Sequence, residues 1–217
     1  MTRSHPIFAR YYARASLAME GGIAEHRGTL LAGLDGQVIE VGAGNGLNFA
    51  HYPAGVTAVL AVEPEPLLRR LAQDAAAKAD VAIEVVDGDA DRLPVKDGSC
   101  DAVIASLVLC SVPDPDRALA EMFRVLKPGG TLRFFEHVRA DSTGRRVTQR
   151  VLDATIWPFL VGGCHVGRDS ADAIRRAGFS IERLERLSRR QTRIPFPASP
   201  QILGAAIRPI GDAGQAQ

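Results

Sequence analysis

The chain has 217 residues, 46% of them hydrophobic, and 26 basic against 25 acidic side chains leave a formal net charge of +1. That length suits one α/β domain with a small elaboration, and the apolar content can fill a core, so disorder is expected only at the C-terminal tail. A balanced charge gives no reason to expect nucleic acid or an anionic membrane as partner. Polar residues interrupt positions 1–30 and no run nears ~20 apolar residues, so neither a signal peptide nor an integral membrane segment is expected.

In chain order, residues 6–34 read as two helices broken at Gly21-Gly22. Phe8, Tyr11, Tyr12 and Ala15 share one apolar face. That face either packs on a sheet or closes over a crevice, with Tyr12 the candidate lid residue. Residues 38–41 are apolar enough for a buried strand, and Gly42-Ala43-Gly44-Asn45-Gly46 cannot continue it. Glycine lets the backbone turn sharply and lets a ligand approach the main chain, and a helix opening there offers free N–H groups. This is the nucleotide crevice of a doubly wound α/β sheet. A dinucleotide fingerprint would need a third glycine where Leu47 stands.

A short helix over 47–51 stops at Pro53, and a strand over 57–62 ends in Glu63-Pro64. Glu63 follows Gly46 by 17 positions, close to the ~20 expected of a carboxylate that accepts both ribose hydroxyls. A helix over 66–78 and a strand over 81–86 lead to Gly88-Asp89-Ala90-Asp91-Arg92-Leu93-Pro94. A fourth strand over 102–107 continues past the sheet edge as Val108-Leu109-Cys110-Ser111-Val112. A helix over 113–125, the turn Leu126-Lys127-Pro128-Gly129-Gly130 and a strand over 131–136 place His137 at a strand end.

Residues 139–178 exceed what a connection needs. They hold a basic-faced helix over 145–152 and the cluster Ile156-Trp157-Pro158-Phe159-Leu160-Val161. Insertions at this edge usually cover the crevice, so they read either as a substrate cap with Trp157 and Phe159 lining an apolar pocket or as ordinary packing of the connection onto the sheet. Asp169-Ser170 cap a helix over 171–177 that Gly178 ends. The last strands fall at 179–187 and 202–207, with Arg189-Arg190 in a solvated loop between them. The organisation is therefore lid helices (1–35), a ligand-binding core (36–137), a cap (138–178) and final strands (179–210) within a single domain of 1–217. The three cysteines, Cys100, Cys110 and Cys164, are scattered, which points to a reducing compartment and to neither a disulfide frame nor a zinc site. A soluble, cytoplasmic monomer or homodimer is expected.

The string Glu40-x-Gly42-x-Gly44-x-Gly46, then Glu63, then Gly88-Asp89-Ala90-x-x-Leu93-Pro94, then Lys127-Pro128-Gly129-Gly130 resembles class I methyltransferases that use S-adenosylmethionine. The resemblance implies a Rossmann-like, mostly parallel seven-stranded sheet with an antiparallel final hairpin. It implies that Gly42, Ala43, Gly44 and Gly46 cradle the methionine end and that Glu40 helps hold its ammonium. Glu63, with Pro64 beside it, would take the ribose. Asp89 would accept from the adenine amine while the Ala90 amide donates to a ring nitrogen. Backbone carbonyls near Ser106 and Leu107 would contact the ammonium, and Tyr12 would close the crevice.

Ser106 to Val112, Phe135-Glu136-His137-Val138, Gly163-Cys164 and Arg168-Asp169 are similar, more narrowly, to the microsomal alkyl-thiol S-methyltransferases, over about residue 38 to Pro209. In-line attack on a sulfonium methyl asks chiefly for alignment and exclusion of water. A thiol with a pKa near ~8.5 needs only a weak base. His137 is the candidate base or thiol orienter, with Glu136 its neighbour, and His165 is second. Direct transfer gives Cys164 no role as a nucleophile. No metal spacing is seen, which disfavours magnesium-assisted chemistry. The alternatives are methylation of carbon, nitrogen or oxygen on a quinone, phospholipid headgroup or natural product, or a regulator that holds the cofactor without turnover. A nucleic-acid substrate would call for a base-stacking signature where Leu107-Val108-Leu109-Cys110 stands.

Overall fold

A computed structural model describes residues 6–210, so the ends of the chain, including the expected C-terminal tail, lie outside the described residues. The strands are β1 (Gly36–Val41), β2 (Val56–Val62), β3 (Ile83–Val86), β4 (Cys100–Ser106), β5 (Leu126–His137), β6 (Ser180–Leu187) and β7 (Gln201–Ile207). They form one seven-stranded sheet in the order β3-β2-β1-β4-β5-β7-β6. The first five strands are parallel, and β7 runs antiparallel to both β5 and β6. The doubly wound, mostly parallel seven-stranded sheet read from the sequence is thus the fold. Chain order reverses between β1 and β4, and the carboxyl ends of those strands open the crevice.

Period-two alternation assigns the strand side chains to two cores. Ile39, Val103, Ala105 and Phe134 face one side with Leu119, Met122 and Ile174. Val38, Ala102, Ile104 and Phe135 face the other with Ile23, Leu30, Leu31 and Ala72. The helices on the first side are α3 (Pro115–Val125) and, later in the chain, α6 (Ser170–Arg176); on the second they are α1 (Pro6–Leu31) and α2 (Pro66–Ala76). Helix α3 starts where Asp114 accepts from the Arg117 N–H at 3.0 Å and Pro115 takes the first turn. Among the described residues, no helix is long and apolar enough to cross a membrane.

The two expected N-terminal helices are one. Helix α1 runs unbroken through Gly21-Gly22, which costs about 1 kcal/mol per glycine relative to alanine. A Cβ on Gly22 would lie 2.5 Å from the Thr192 carbonyl oxygen, so this glycine lets α7 (Arg189–Thr192) seat against α1. The fifth strand also starts earlier than expected. Leu126 already pairs with Cys100, and the Lys127-Pro128-Gly129-Gly130 segment is a register shift with Gly129 at φ +81°. The connection after β5 holds α4 (Thr143–Asp153) and the short α5 (Trp157–Leu160) before α6.

Candidate active site

Strand β1 delivers the glycine loop to the crevice, and the Gly42 and Ala43 N–H groups donate to the Val62 carbonyl at 2.8 and 3.2 Å, tying loop to β2. Gly42, Gly44 and Gly46 all have positive φ, at +66°, +58° and +77°. Their surroundings differ. A Cβ on Gly42 would press on Val108 and one on Gly46 on Ala75 and Phe49, all within 3 Å. On Gly44 it would reach only the Tyr12 ring, at 3.4 Å. Gly44 is therefore the face of the loop that looks into the crevice, with Tyr12 over it.

Two carboxylates stand at the strand ends. Glu63 is 5% exposed and accepts from the Gly44 N–H at 2.8 Å and the Glu65 N–H at 2.9 Å. Burial raises its pKa to about 7 against the pull of those two amides. Glu40 is buried and its two oxygens are engaged, one by Asn48 and one by the Tyr52 hydroxyl, both at 2.7 Å. Arg27 of α1 donates to Asn48 Oδ1 at 2.8 Å. Burial also pushes Glu40 up, and the Tyr52 and Asn48 bonds hold it back. In this position Glu40 braces the loop from beneath. Pro64 continues β2 at the rim, half-buried, and Asp89 and Ala90 lie half-buried in the turn where Arg92 N–H donates to the Asp89 carbonyl at 3.2 Å.

Beyond β4 the chain turns sharply. Leu107 has φ +60°, a left-handed conformation unusual for a branched side chain, and its N–H donates to the Phe135 carbonyl at 2.7 Å. The Ser106 hydroxyl oxygen is buried without a hydrogen-bond partner among the described residues. From β5, the fully buried Glu136 accepts three consecutive N–H groups of this turn, from Val108 and Leu109 at 2.8 Å and Cys110 at 3.2 Å. Burial drives its pKa up, and the three amides oppose that.

The turn presents Cys110 to His137. Cys110 Sγ lies 3.4 Å from His137 Nδ1, and Cys164 Sγ, from the cap, lies 3.5 Å from the same nitrogen. Burial disfavours charge on His137, but the adjacent Cys110 sulfur and Glu136 carboxylate outweigh it and raise the imidazole pKa. Contact with Cys164, then burial, pushes the Cys110 thiol up. Tyr12 joins the two halves of the site. Its phenol, raised to about 12 chiefly by burial, lies within electrostatic reach of both Glu63 and Cys110.

The second histidine is placed differently. His165 Nδ1 bonds the Gly163 carbonyl at 2.7 Å and the His165 backbone N–H donates to the Cys110 carbonyl at 2.7 Å, so this residue ties the cap to the β4 turn. Arg168, given no role by the sequence reading, donates to the Leu109 and Val112 carbonyls at 2.6 and 2.7 Å and clamps the turn from the other side. An arginine beside a capping aspartate carried no signal of that. Of the two expected pocket residues, Trp157 packs against the α1-side core with its indole Nε1 buried and unpartnered among the described residues. Phe159 is 85% exposed and turns to solvent. In a helix as short as α5 only one side can meet the sheet, and Trp157 has taken it. Phe8 of α1 abuts Gly162, where any Cβ would collide with its ring, so α1 meets the connection that follows β5.

A family model described as a methyltransferase domain matches residues 39–134. Thiol S-methyltransferase TMT1A of Homo sapiens is 40% identical over 154 residues, covering 69% of this chain and 62% of that protein. Thiol S-methyltransferase TMT1B of Mus musculus is 38% identical over 186 residues, covering 82% of this chain and 74% of that protein. The chain therefore spans under two thirds of TMT1A and about three quarters of TMT1B. A solved S-adenosylmethionine-dependent methyltransferase from Thermotoga maritima shares the fold with a TM-score of 0.69 at 22% identity, over 93% of this chain and 96% of that one.

Proposed function

The chain belongs to the S-adenosylmethionine-dependent methyltransferases, in the family of TMT1A and TMT1B, and from that membership we propose that it methylates the sulfur of a small apolar thiol. The observation that carries this reading is the convergence of Cys110, beyond β4, His137, at the end of β5, and Cys164, from the cap, with Tyr12 in electrostatic reach of Cys110. The activity for which those relatives are named points the same way.

The residues present suit the cofactor. The Gly44 face carries no side chain and Glu63 stands beside it, while the Ser106 hydroxyl is buried with no partner among the described residues. When bound there, S-adenosylmethionine supplies an electrophilic sulfonium methyl. Gly42, Ala43, Gly44 and Gly46 would hold its methionine end, with Ser106 and Leu107 opposite. Glu63 would accept the ribose hydroxyls with Pro64 alongside, and Asp89 and Ala90 would pair with the adenine edge. Glu40 serves this site by fixing the loop through Asn48 and Tyr52.

His137 stands where the substrate thiol would be held, and it helps orient that thiol and favour its ionised form. Tyr12 and Trp157 exclude water from it. His165 positions the Cys110 turn. The test is S-adenosylhomocysteine formation against a panel of alkyl thiols, phenols, quinols and amines, repeated with His137→Ala. Thiol-selective turnover that falls at least ~100-fold in the variant is expected. Turnover with another acceptor class alone would remove the thiol reading.

A further inference from the structure

Two thiols converge on one ring nitrogen. Cys110 Sγ and Cys164 Sγ lie 3.4 and 3.5 Å from His137 Nδ1, and all three atoms fall within 4.8 Å of one another. A ring nitrogen takes part in one good hydrogen bond, as acceptor or as donor, so in the metal-free protein one thiol bonds the imidazole while the other rests against it and the first thiol. A shared cation accounts for both approaches. Tetrahedral zinc, with bonds of about 2.3 Å to sulfur and about 2.0–2.1 Å to nitrogen, sets sulfur and nitrogen ligands about 3.5 Å apart. We propose that Cys110, His137 and Cys164 bind a zinc ion whose fourth position takes the substrate thiol. The proposal rests on the thiol reading above and names how the thiol is activated.

The ligands come from three separate elements, and each is held. The Cys110 N–H donates to Glu136 and the Cys110 carbonyl accepts from His165, so the turn bearing one sulfur is fixed to β5 and to the cap bearing the other. Supports of this kind set ligand direction and strength. Cys110 and Cys164 are 1% and 6% exposed, which closes the site toward the protein. The exchangeable position is assigned to the side of Tyr12, which lies within electrostatic reach of Cys110. Three protein ligands with one exchangeable position is the pattern of catalytic zinc, whereas structural zinc is closed by four.

The chemistry balances. Two thiolates and a neutral imidazole give the zinc site no net charge. A thiol R–SH enters the fourth position as R–S⁻ and its proton passes to solvent. A sulfur lone pair then forms the new S–CH3 bond as the methyl–sulfonium bond breaks, and the departing sulfur keeps that electron pair. Both products are neutral thioethers, weak ligands that leave. Zinc stays divalent throughout, so no oxidant or reductant is needed.

The test uses the full chain. Zinc is measured by elemental analysis and by competition with a colorimetric chelator, for the unaltered protein and for Cys110→Ser, Cys164→Ser and Cys100→Ser. The last cysteine lies outside the cluster. In parallel, cobalt(II) is added to metal-stripped protein and the thiolate-to-cobalt charge-transfer band is read, with circular dichroism to confirm that each variant is folded. About one zinc per chain in the unaltered protein and in Cys100→Ser, at least tenfold less in the other two, and a cobalt–thiolate band that tracks them is expected. No zinc and no cobalt–thiolate band in the folded, unaltered protein overturns the site. Metal in Cys110→Ser and Cys164→Ser equal to that in the unaltered protein overturns the ligand set. Thiol turnover that survives complete metal removal overturns the activation role and leaves the thiol reading standing. Stoichiometric zinc in the cluster without turnover of any thiol supports the metal site and removes the thiol reading instead.

Discussion

Replacing Glu63 by glutamine keeps the size of a 5% exposed side chain and removes its charge. In the proposed complex both ribose hydroxyls donate to Glu63. Bonds to a charged acceptor contribute roughly 1.5–3 kcal/mol each against about 0.5–1.5 for a neutral one, so two such bonds lose roughly 2–3 kcal/mol. S-adenosylhomocysteine should then bind roughly 30- to 150-fold more weakly. The raised pKa adds a second signature. Binding favours the ionised carboxylate, whose free-state pKa is about 7. Affinity should therefore be full above that value and fall as pH drops through it, about tenfold weaker at pH 6 than at pH 8. The Glu63→Gln variant should show no such dependence. Calorimetric titration at both pH values in each protein measures all of this. Equal affinity of the two proteins at pH 8, or a pH dependence that persists in the variant, would refute the ribose assignment.

Gly46→Ala should lower stability by about 2–4 kcal/mol in urea unfolding, because the new methyl meets Ala75 and Phe49 at a φ of +77°. Glu136→Ala strands three buried N–H groups of the Cys110 turn. At about 1–3 kcal/mol each, it should cost at least 3 kcal/mol in the same assay and abolish thiol turnover. Tyr12→Ala uncovers Gly44 and should weaken S-adenosylhomocysteine binding about tenfold by calorimetry, while Tyr12→Phe, which keeps the ring, should bind within about threefold of the unaltered protein.

The half of the candidate site around the glycine loop was legible because its signal is local. Gly42, Gly44 and Gly46 sit in five consecutive residues, and Glu63 follows one strand later. The acceptor half was not. Cys110, His137 and Cys164 are each 27 positions from the next, and only the parallel pairing of β4 with β5 and the fold-back of the cap bring them together. Scattered cysteines carry no metal-ligand signal in a sequence, because separation along the chain hides the approach of Cys110 and Cys164 in space. Gly21-Gly22 misled for a related reason. A glycine pair reads as a break when its neighbours are unknown, and here Thr192 claims the space beside Gly22. The outward turn of Phe159 had no sequence signal, because α5 is too short to show a period.

The crevice also explains why three carboxylates are buried at strand ends. Loops at this edge must stay open, so they cannot be fixed by filling the space between them with apolar side chains. Glu40, Glu63 and Glu136 each fix a loop from the strand side instead, accepting from the Asn48 and Tyr52 side chains, from the Gly44 amide and from the Cys110 turn. The cost appears in their protonation. All three pKa values are raised by burial. A carboxylate whose folded pKa exceeds its unfolded value favours the folded state less as pH rises from the unfolded to the folded pKa. For Glu63 that window runs from 4.5 to about 7 and amounts to about 3 kcal/mol. A site built only for stability would use neutral braces at these positions. Ligand donors that meet the ionised carboxylate would recover part of that cost on binding, so the same burial that weakens the free protein strengthens its grip on a hydroxyl-rich ligand.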